Sequence, residues 1–400
     1  MRNYLPSSVQ SDFPILNRSA SHGGRLIYLD SAATALRPKC VIDAMVDTMS
    51  SKTGGIHRSV HHLGDVATES YEEARLAVSR WVGGLENEIV FTRNTTESIN
   101  LVAQGWRDSR RVLVSLSDHH SSILPWESKR TTRLAPDKDG LVDEEAFLRE
   151  VSRGDVGVVC VSHLSNVTGG VVNVGRIAEA CHAHGAILVL DAAQSASHGP
   201  IDAPNLGCDF LAFSGHKLGG PAGIGVLWGK AELLHQVEPR LFGGGMIEAF
   251  EENTVSRKDI PWRLEAGTPP LEVAVGLSAA IEYLWGLDVE KIGMHLQSLR
   301  GYAIEKLQGI PKLRILSTAK PNGYGPVSFY IEGHSSHAIA RSLSDAYGIC
   351  IRSGFHCAEP LHRHFGCGPS LRMSFFVYNQ PGDVDACVDA IRRLSSITTR

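Results

Sequence analysis

Short apolar runs alternate with amphipathic stretches along residues 25–290 of this 400-residue chain. The runs carry valine, isoleucine and leucine on both faces, which is typical of strands buried on both sides of a sheet. The stretches between them, such as TESINLVAQGW at 96–106, suit crossover helices. This alternation predicts an α/β domain with a largely parallel sheet. The predicted strands are 88–92, 111–116, 156–164, 186–194, 210–214 and 223–228.

The pattern changes after about residue 290. Longer amphipathic helices, such as KIGMHLQSLRGYAIEKLQGI at 291–310, are interleaved with strand-like runs such as PVSFYIEG. A chain of this length also exceeds what one hydrophobic core usually organises. We therefore expect a large α/β domain at 25–290 and a smaller α+β domain formed by 1–24 together with 291–400.

Composition narrows the classes of partner and the cellular location. The net charge is −4 and 20% of the residues are charged, so the composition gives no indication of a basic patch for nucleic acid. The longest uncharged apolar runs fall well short of a membrane span, and the first 24 residues hold no apolar core of a signal peptide. The eight cysteines form no CxxC pair. These features predict a cytoplasmic protein with neither nucleic-acid nor membrane partners.

Polar residues follow several of the predicted strands. Because ligands of open α/β sheets bind at the carboxyl ends of strands, these residues are candidates for a site. Taken singly, each could instead cap the next helix. Five such sets in one domain favour a binding site. The sets are Thr95 with Thr96, Asp118 with His119 and His120, Ser165 with Asn166, Asp191 with Gln194, and Ser214 with His216 and Lys217.

Lys217 lies in AFSGHKLGGPAGIG, a setting rich in glycine. Most lysines are solvated surface charges. A partly enclosed lysine with a lowered pKa is instead what Schiff-base chemistry requires. Together with an acidic residue and several hydroxyls, Lys217 indicates a pyridoxal 5′-phosphate site. The glycines do not form a dinucleotide fingerprint, because they follow the lysine late in the domain rather than opening a helix after the first strand.

Ordered motifs along nearly the whole chain carry a family resemblance. The sequence resembles the class V aminotransferases of the fold-type I pyridoxal phosphate enzymes, and among them the group II cysteine desulfurases and selenocysteine lyases. The resemblance implies a large domain with a mostly parallel seven-stranded sheet, a smaller α+β C-terminal domain and a homodimer. The motifs are YLDSAATALRP, GGIHRSVHHLG, TRNTTESINLVAQGW, SDHHSSILPW, SHLSNVTGG, DAAQSASH, FSGHKLGGPAGIGVLW, RLEAGTPP, RSGFHCAEPL and LRMSFFVYN.

The resemblance implies roles for these residues. Lys217 would carry the cofactor as a Schiff base and remove the substrate's α-proton. Asp191 would pair with the pyridinium nitrogen, and His119 would stack on the ring and take part in catalysis. The other cofactor-binding residues implied are Asn166 and Gln194 at the phenolic oxygen, Thr96, Ser214 and His216 at the phosphate, and Thr268 reaching the phosphate from the other subunit. Thr95 is also implied to bind the cofactor. The substrate-binding residues implied are Arg372 at the carboxylate, with His57 and Arg352.

Cys357 is the residue on which the implied reaction depends. In cysteine desulfurases a mobile loop presents a thiolate that takes sulfur from the substrate as a persulfide. Such a thiol benefits from nearby cations, for which Arg352 and His356 are candidates. A structural cysteine is the alternative. Two features depart from the family pattern, namely Phe355 in place of a histidine and a shortened GGGMI segment at 243–247.

Three functions stay open at this point. The first is a cysteine desulfurase that converts L-cysteine to L-alanine and passes sulfur to an acceptor protein, for iron–sulfur cluster assembly or another pathway. The second keeps the cofactor but changes the reaction, to a selenocysteine lyase or a specialised lyase or epimerase, which Phe355 admits. The third is a catalytically silent binding module, against which Lys217, Asp191 and Arg372 argue.

Overall fold

The structure, a computed structural model, describes residues 4–20, 23–317 and 323–396. The remaining residues of the predicted small domain lie outside these ranges. The strands are β1 (Ile27–Tyr28), β2 (Ile89–Thr92), β3 (Arg111–Ser115), β4 (Thr131–Leu134), β5 (Val156–Ser162), β6 (Ile187–Asp191), β7 (Phe210–Ser214), β8 (Gly225–Gly229), β9 (Ile247–Glu251), β10 (Thr254–Arg257), β11 (Leu313–Ile315), β12 (Val327–Ile331), β13 (Ile349–Cys350), β14 (Arg352–Gly354) and β15 (Ser370–Met373).

Helices connect these strands and cover the sheets. The α-helices are α1 (Lys39–Ser51), α2 (His62–Val82), α3 (Thr95–Gly105), α4 (His120–Ile123), α5 (Glu144–Val151), α6 (Val174–Ala183), α7 (Ala203–Leu206), α8 (Ala231–Leu234), α9 (Leu271–Gly286), α10 (Val289–Gln308), α11 (Ser336–Tyr347), α12 (Glu359–His364) and α13 (Pro381–Ser396). Short 3₁₀ turns lie at Ser7–Asp12, Pro14–Asn17, Glu86–Glu88, Leu124–Trp126, Ser195–Ser197, Gly215–Lys217 and Trp262–Leu264.

A seven-stranded sheet with the order β2-β8-β7-β6-β5-β3-β4 forms the centre of the described chain. Strand β8 runs antiparallel to both of its neighbours, and the other pairs are parallel. Every residue of β3, β5, β6 and β7 is buried, which explains the uninterrupted apolar runs in the sequence. The predicted α/β class with a mostly parallel sheet is confirmed.

A second, four-stranded antiparallel sheet has the order β11-β12-β15-β14. Strand β13 pairs instead with β1, in parallel, so the run ICIRSG contains two short strands of different sheets. The described N-terminal residues lie against the C-terminal part of the chain. For example, the amide of Leu5 donates to Nδ1 of His295 in α10 at 3.0 Å. The division into two domains at residues 24 and 290 stays a prediction.

Within the described ranges, no helix is both long and apolar enough to span a membrane.

Candidate active site

A cavity of about 310 Å³ opens where β5, β6 and β7 end and α3 begins. The ends of parallel strands meet at this edge, so residues far apart in sequence face one another. The predicted site residues that line it are Thr95, Thr96, His119, Asn166, Asp191, Gln194, Ser214, His216, Lys217, Arg352, Cys357 and Arg372. The structure therefore brings these side chains together at one place.

Lys217 ends the 3₁₀ turn that follows β7. Gly219, with φ of +85°, takes a left-handed conformation two residues later, which lets the chain turn sharply beyond the lysine. Burial lowers the pKa of the Lys217 amine to about 8. The charge of Asp191 opposes this shift, and the charge of Arg372 adds to it. A substantial fraction of the amine is therefore neutral, and nucleophilic, slightly above neutral pH.

Asp191 is the last residue of β6 and is held by two donors. Its Oδ1 accepts from the amide of Ala193 at 2.9 Å, and its Oδ2 accepts from the hydroxyl of Ser122 at 2.8 Å. Both oxygens of this carboxylate are therefore fixed in position. The sequence analysis did not identify Ser122, because its contact is with a residue far away in sequence.

His119 precedes α4, and its Nδ1 accepts from the amide of Ser121 at 3.1 Å. Burial, together with the Lys217 charge, lowers the pKa of His119 to about 3. The ring is thus neutral, and because Nδ1 is an acceptor the hydrogen must be on Nε2. The adjacent candidates do not line the cavity: Asp118 is buried and accepts from the amide of Ser162, while His120 pairs with Glu359.

Hydroxyl groups cluster at the N-terminus of α3. Oγ of Ser214 accepts from the amide of Thr95 at 2.8 Å and lies 2.6 Å from its hydroxyl. The hydroxyl of Thr96 lies 2.7 Å from that of Ser121. Burial lowers the pKa of the nearby His216 to about 4, so this ring is neutral. Hydroxyls gathered at the N-terminus of a helix form a suitable site for a phosphate group.

Arg372 lies on β15, lines the cavity and is buried. Its Nη1 donates to the carbonyl of Asn166 at 3.2 Å, and its Nη2 donates to Oδ1 of Asp30 at 3.4 Å. Nε of Arg372 has no hydrogen-bond partner among the described residues. Because a buried guanidinium donor without a partner is costly, this edge of Arg372 is suited to receive an anion.

Cys357 lies in the turn between β14 and α12, and its side chain is exposed. Nδ2 of Asn166 donates to the carbonyl of His356 at 2.8 Å, and the amide of His120 donates to the carbonyl of Cys357 at 3.0 Å. The expectation that His356 supplies a cation is wrong, because burial and the Arg372 charge lower its pKa to about 2. The positive charge near Cys357 comes instead from Arg352 and Arg372, which line the same cavity.

Two predicted site residues do not line this cavity. Nε2 of His57 lies 3.0 Å from Oε1 of Glu72, which is itself bound to Arg75. Thr268 is exposed on the surface of its own chain. The shortened GGGMI segment lies beside Thr268, since the amide of Gly267 donates to the carbonyl of Gly244 at 2.8 Å.

Comparisons with known proteins agree on one family. The family model described as "Aminotransferase class-V" matches residues 27–387. A "Probable cysteine desulfurase" from Halalkalibacterium halodurans is 40% identical over 393 residues, covering 95% of this chain and 96% of the relative. "Probable cysteine desulfurase 2" from Mycobacterium leprae is 39% identical, covering 97% of this chain and 96% of the relative.

Two solved structures share the fold over almost the entire chain. The crystal structure of the Escherichia coli cysteine desulfurase CsdA (S-sulfonic acid) superposes with a TM-score of 0.89 at 35% identity, covering 98% of this chain and 99% of that one. The apo structure of a cysteine desulfurase from Thermococcus onnurineus has a TM-score of 0.89 at 34% identity and covers 99% of both chains.

Proposed function

Because this chain belongs to the class-V aminotransferase family, we propose that it is a cysteine desulfurase, which converts L-cysteine into L-alanine and takes up the sulfur as a persulfide on Cys357. The observation that carries the proposal is the shared cavity of Cys357, Lys217 and Arg372. A nucleophilic thiol, an amine with a lowered pKa and an unpaired guanidinium edge suit a thiol-bearing amino acid.

The residues present fit pyridoxal phosphate, the cofactor of this family. The chemistry of the donor set is complete: hydroxyls at the start of α3 suit the phosphate, Asp191 suits a protonated ring nitrogen, and Lys217 lies in the same cavity. When bound, the cofactor supplies an electron-withdrawing ring that stabilises the negative charge formed at the substrate's carbon atoms. We therefore propose that Lys217 holds it covalently.

Other side chains are suited to hold the ring. The neutral His119 presents a flat imidazole with its hydrogen on Nε2. Among the described residues, Nδ2 of Asn166 and Nε2 of Gln194 each make one hydrogen bond, to the carbonyls of His356 and Ala32 respectively. An amide nitrogen carries two hydrogens, so each keeps a donor for the phenolic oxygen.

Substrate binding follows from the positions of the charged groups. Nε and the adjoining nitrogen of Arg372 would bind the substrate carboxylate in the bidentate geometry that a guanidinium favours. Arg352, which also lines the cavity, adds a second positive charge near Cys357. His57 is proposed to line the same site in the assembled enzyme, although it does not line the cavity of its own chain.

The chain's own groups account for the protons and the sulfur. The neutral amine of Lys217 accepts the α-proton of the substrate. The thiolate of Cys357 attacks the substrate sulfur, so that an S–S bond forms as the Cβ–S bond breaks. The electron pair of the broken bond stays with the carbon skeleton, which takes up one proton at Cβ, regains one at Cα from Lys217 and leaves as L-alanine. The sulfur remains on the enzyme until an acceptor thiol removes it.

We also propose that the protein is a homodimer and that it passes its sulfur to an acceptor protein. Thr268 lies on the surface, outside the cavity of its own chain, which suits a residue that completes the phosphate site of a second subunit in a homodimer. The exposed thiol of Cys357 suits delivery of sulfur to an acceptor protein. A cytoplasmic location stays a prediction from the sequence.

The experiment measures alanine and sulfide formed from L-cysteine in the presence of a reducing thiol. We expect alanine from the wild type and from Cys367→Ala, a matched control because Cys367 is a partly buried cysteine beyond α12. We expect almost none from Cys357→Ala or Lys217→Ala. Full activity of Cys357→Ala would contradict the persulfide, and activity on selenocysteine alone would identify a selenocysteine lyase.

A further inference from the structure

The turn that carries Cys357 has an unfavourable backbone. His356 and Cys357 have φ values of +54° and +57°, so two successive residues with side chains occupy the left-handed region. Such a conformation persists only when surrounding contacts impose it. The contacts around this turn therefore decide where the Cys357 thiol lies.

Part of the restraint acts on the backbone itself. The carbonyl of His356 accepts from Asn166, and the carbonyl of Cys357 accepts from the amide of His120, as described above. The amide of Ala358 also donates to the carbonyl of Phe355 at 2.9 Å, which closes the turn. These bonds fix the carbonyls of the turn.

A buried serine on β15 holds the side chains of the same region. Oγ of Ser370 lies 2.9 Å from Nε2 of His356 and 2.9 Å from Nε2 of His362 in α12. Ser370 and His362 have no solvent exposure, and His356 is 93% buried. One hydroxyl therefore joins the turn, the following helix and the strand that carries Arg372.

The direction of each hydrogen in this chain can be worked out. Nδ1 of His362 lies 3.0 Å from the carbonyl of Ala358, which only accepts, so Nδ1 carries the hydrogen and Nε2 is an acceptor. Ser370 must then donate its hydroxyl hydrogen to His362. Its oxygen accepts from Nε2–H of His356. Burial lowers the pKa of both rings, which keeps them neutral and preserves this order.

We propose that Ser370 is a positioning residue for Cys357: through the His356 imidazole it holds the left-handed turn that directs the thiol into the cavity. The proposal rests on the proposed function, since it assigns Cys357 as the nucleophile. His356 acts here through its Nε2–H group and the shape of its ring rather than by taking up a proton. A thiol held by several bonds in one orientation needs no rearrangement to meet the substrate sulfur.

The test compares two pairs of variants with a matched control. Ser370→Ala removes the junction, and Ser370→Thr keeps its hydroxyl. His356→Leu removes the Nε2 donor, whereas the amide of His356→Gln can donate to Ser370 from a similar position. The control is Ser79→Ala, because Ser79 is a buried serine in α2 whose hydroxyl donates to the carbonyl of Leu76 at 2.9 Å and makes no other hydrogen bond within the described part of the chain.

We expect kcat with L-cysteine to fall about tenfold to a hundredfold in Ser370→Ala and His356→Leu, since small displacements of reacting atoms have effects of this size. KM and the visible absorption of the bound cofactor should stay close to those of the wild type, because Arg372 and Lys217 are unchanged. Amide hydrogen exchange of residues 355–359 and of His120 should become faster. Ser370→Thr, His356→Gln and Ser79→Ala should keep kcat within about threefold.

Two results would overturn the proposal. One is unchanged kcat and unchanged amide exchange in Ser370→Ala and His356→Leu. The other is a folded His356→Gln protein as inactive as His356→Leu, because the imidazole would then be needed for more than its Nε2–H donor. Thermal unfolding identifies any variant that fails to fold. If Ser370→Ala fails to fold, the comparison of His356→Leu with His356→Gln decides the proposal. If the wild type makes no alanine, the proposed function fails, and amide exchange still decides whether Ser370 holds the turn.

Discussion

Asp30 accepts a hydrogen bond from Arg372, with 3.4 Å between Oδ1 and Nη2. The second oxygen of the same carboxylate lies 3.8 Å from Nη1 of Arg352. One carboxylate therefore holds both of the arginines that are proposed to bind the substrate. Burial raises the pKa of Asp30, and the two guanidinium groups oppose this shift by favouring the charged form.

Replacing Asp30 should weaken substrate binding more than the chemical step. In Asp30→Ala both arginines lose a charged partner, and Arg372 becomes free to move away from the position that suits a carboxylate. We expect KM for L-cysteine to rise about tenfold, the size of one charge-assisted hydrogen bond, with a smaller change in kcat. Asp30→Asn keeps an acceptor oxygen, so its KM should lie between those of the wild type and Asp30→Ala. A fall in kcat at constant KM would contradict a role in holding these arginines.

The lowered pKa of Lys217 can be measured in the cofactor-free protein. Burial lowers this pKa to about 8, so about half of the amine is neutral at pH 8. Reductive methylation should therefore label Lys217 with a pH midpoint near that value. Peptide mass spectrometry measures the rate of labelling at Lys217 as a function of pH. Asp191→Asn should lower the midpoint further, because the Asp191 charge raises this pKa. A Lys217 midpoint near the usual lysine pKa of about 10.4 would disprove the shift.

The fold could be predicted where burial is strong. Strands β3, β5, β6 and β7 are buried throughout, so their sequences are continuous apolar runs. Strand β4 was missed because it is the edge strand of the sheet, partly exposed, with the polar sequence TTRL. An exposed edge strand has no need of an apolar run, and only its pairing with β3 identifies it.

The site was predictable in its residues but not in its electrostatics. The residues at strand ends were found because parallel strands share one edge. The neutral state of His356 could not be predicted, because it follows from burial and from the Arg372 charge, and no sequence pattern reports either of them. Asp30 and Ser122 were missed for a similar reason, since each acts through a contact with a residue far away in sequence.

The proposed homodimer predicts that two inactive variants can complement each other. Thr268 is exposed and lies outside the cavity of its own chain, while Glu265, three residues earlier, is fixed by Arg75 at 2.8 Å. A mixture of Lys217→Ala and Thr268→Arg chains should form hybrid dimers with one intact site each. Statistical mixing would then restore about a quarter of the wild-type activity. Confirmed hybrid dimers without activity would show that Thr268 does not act across subunits.

Acid stability should depend on His295, which is fully buried in α10 and accepts from the amide of Leu5. Burial lowers its pKa from 6.5 to about 4, so below pH 6.5 the unfolded chain binds a proton that the folded chain does not. The folded state should therefore lose about 2 kcal/mol from this group between pH 7 and pH 4.5. In His295→Asn, which keeps an acceptor for Leu5, urea unfolding should show a correspondingly smaller loss over this range. An unaltered pH dependence in His295→Asn would mean that His295 is protonated in the folded protein.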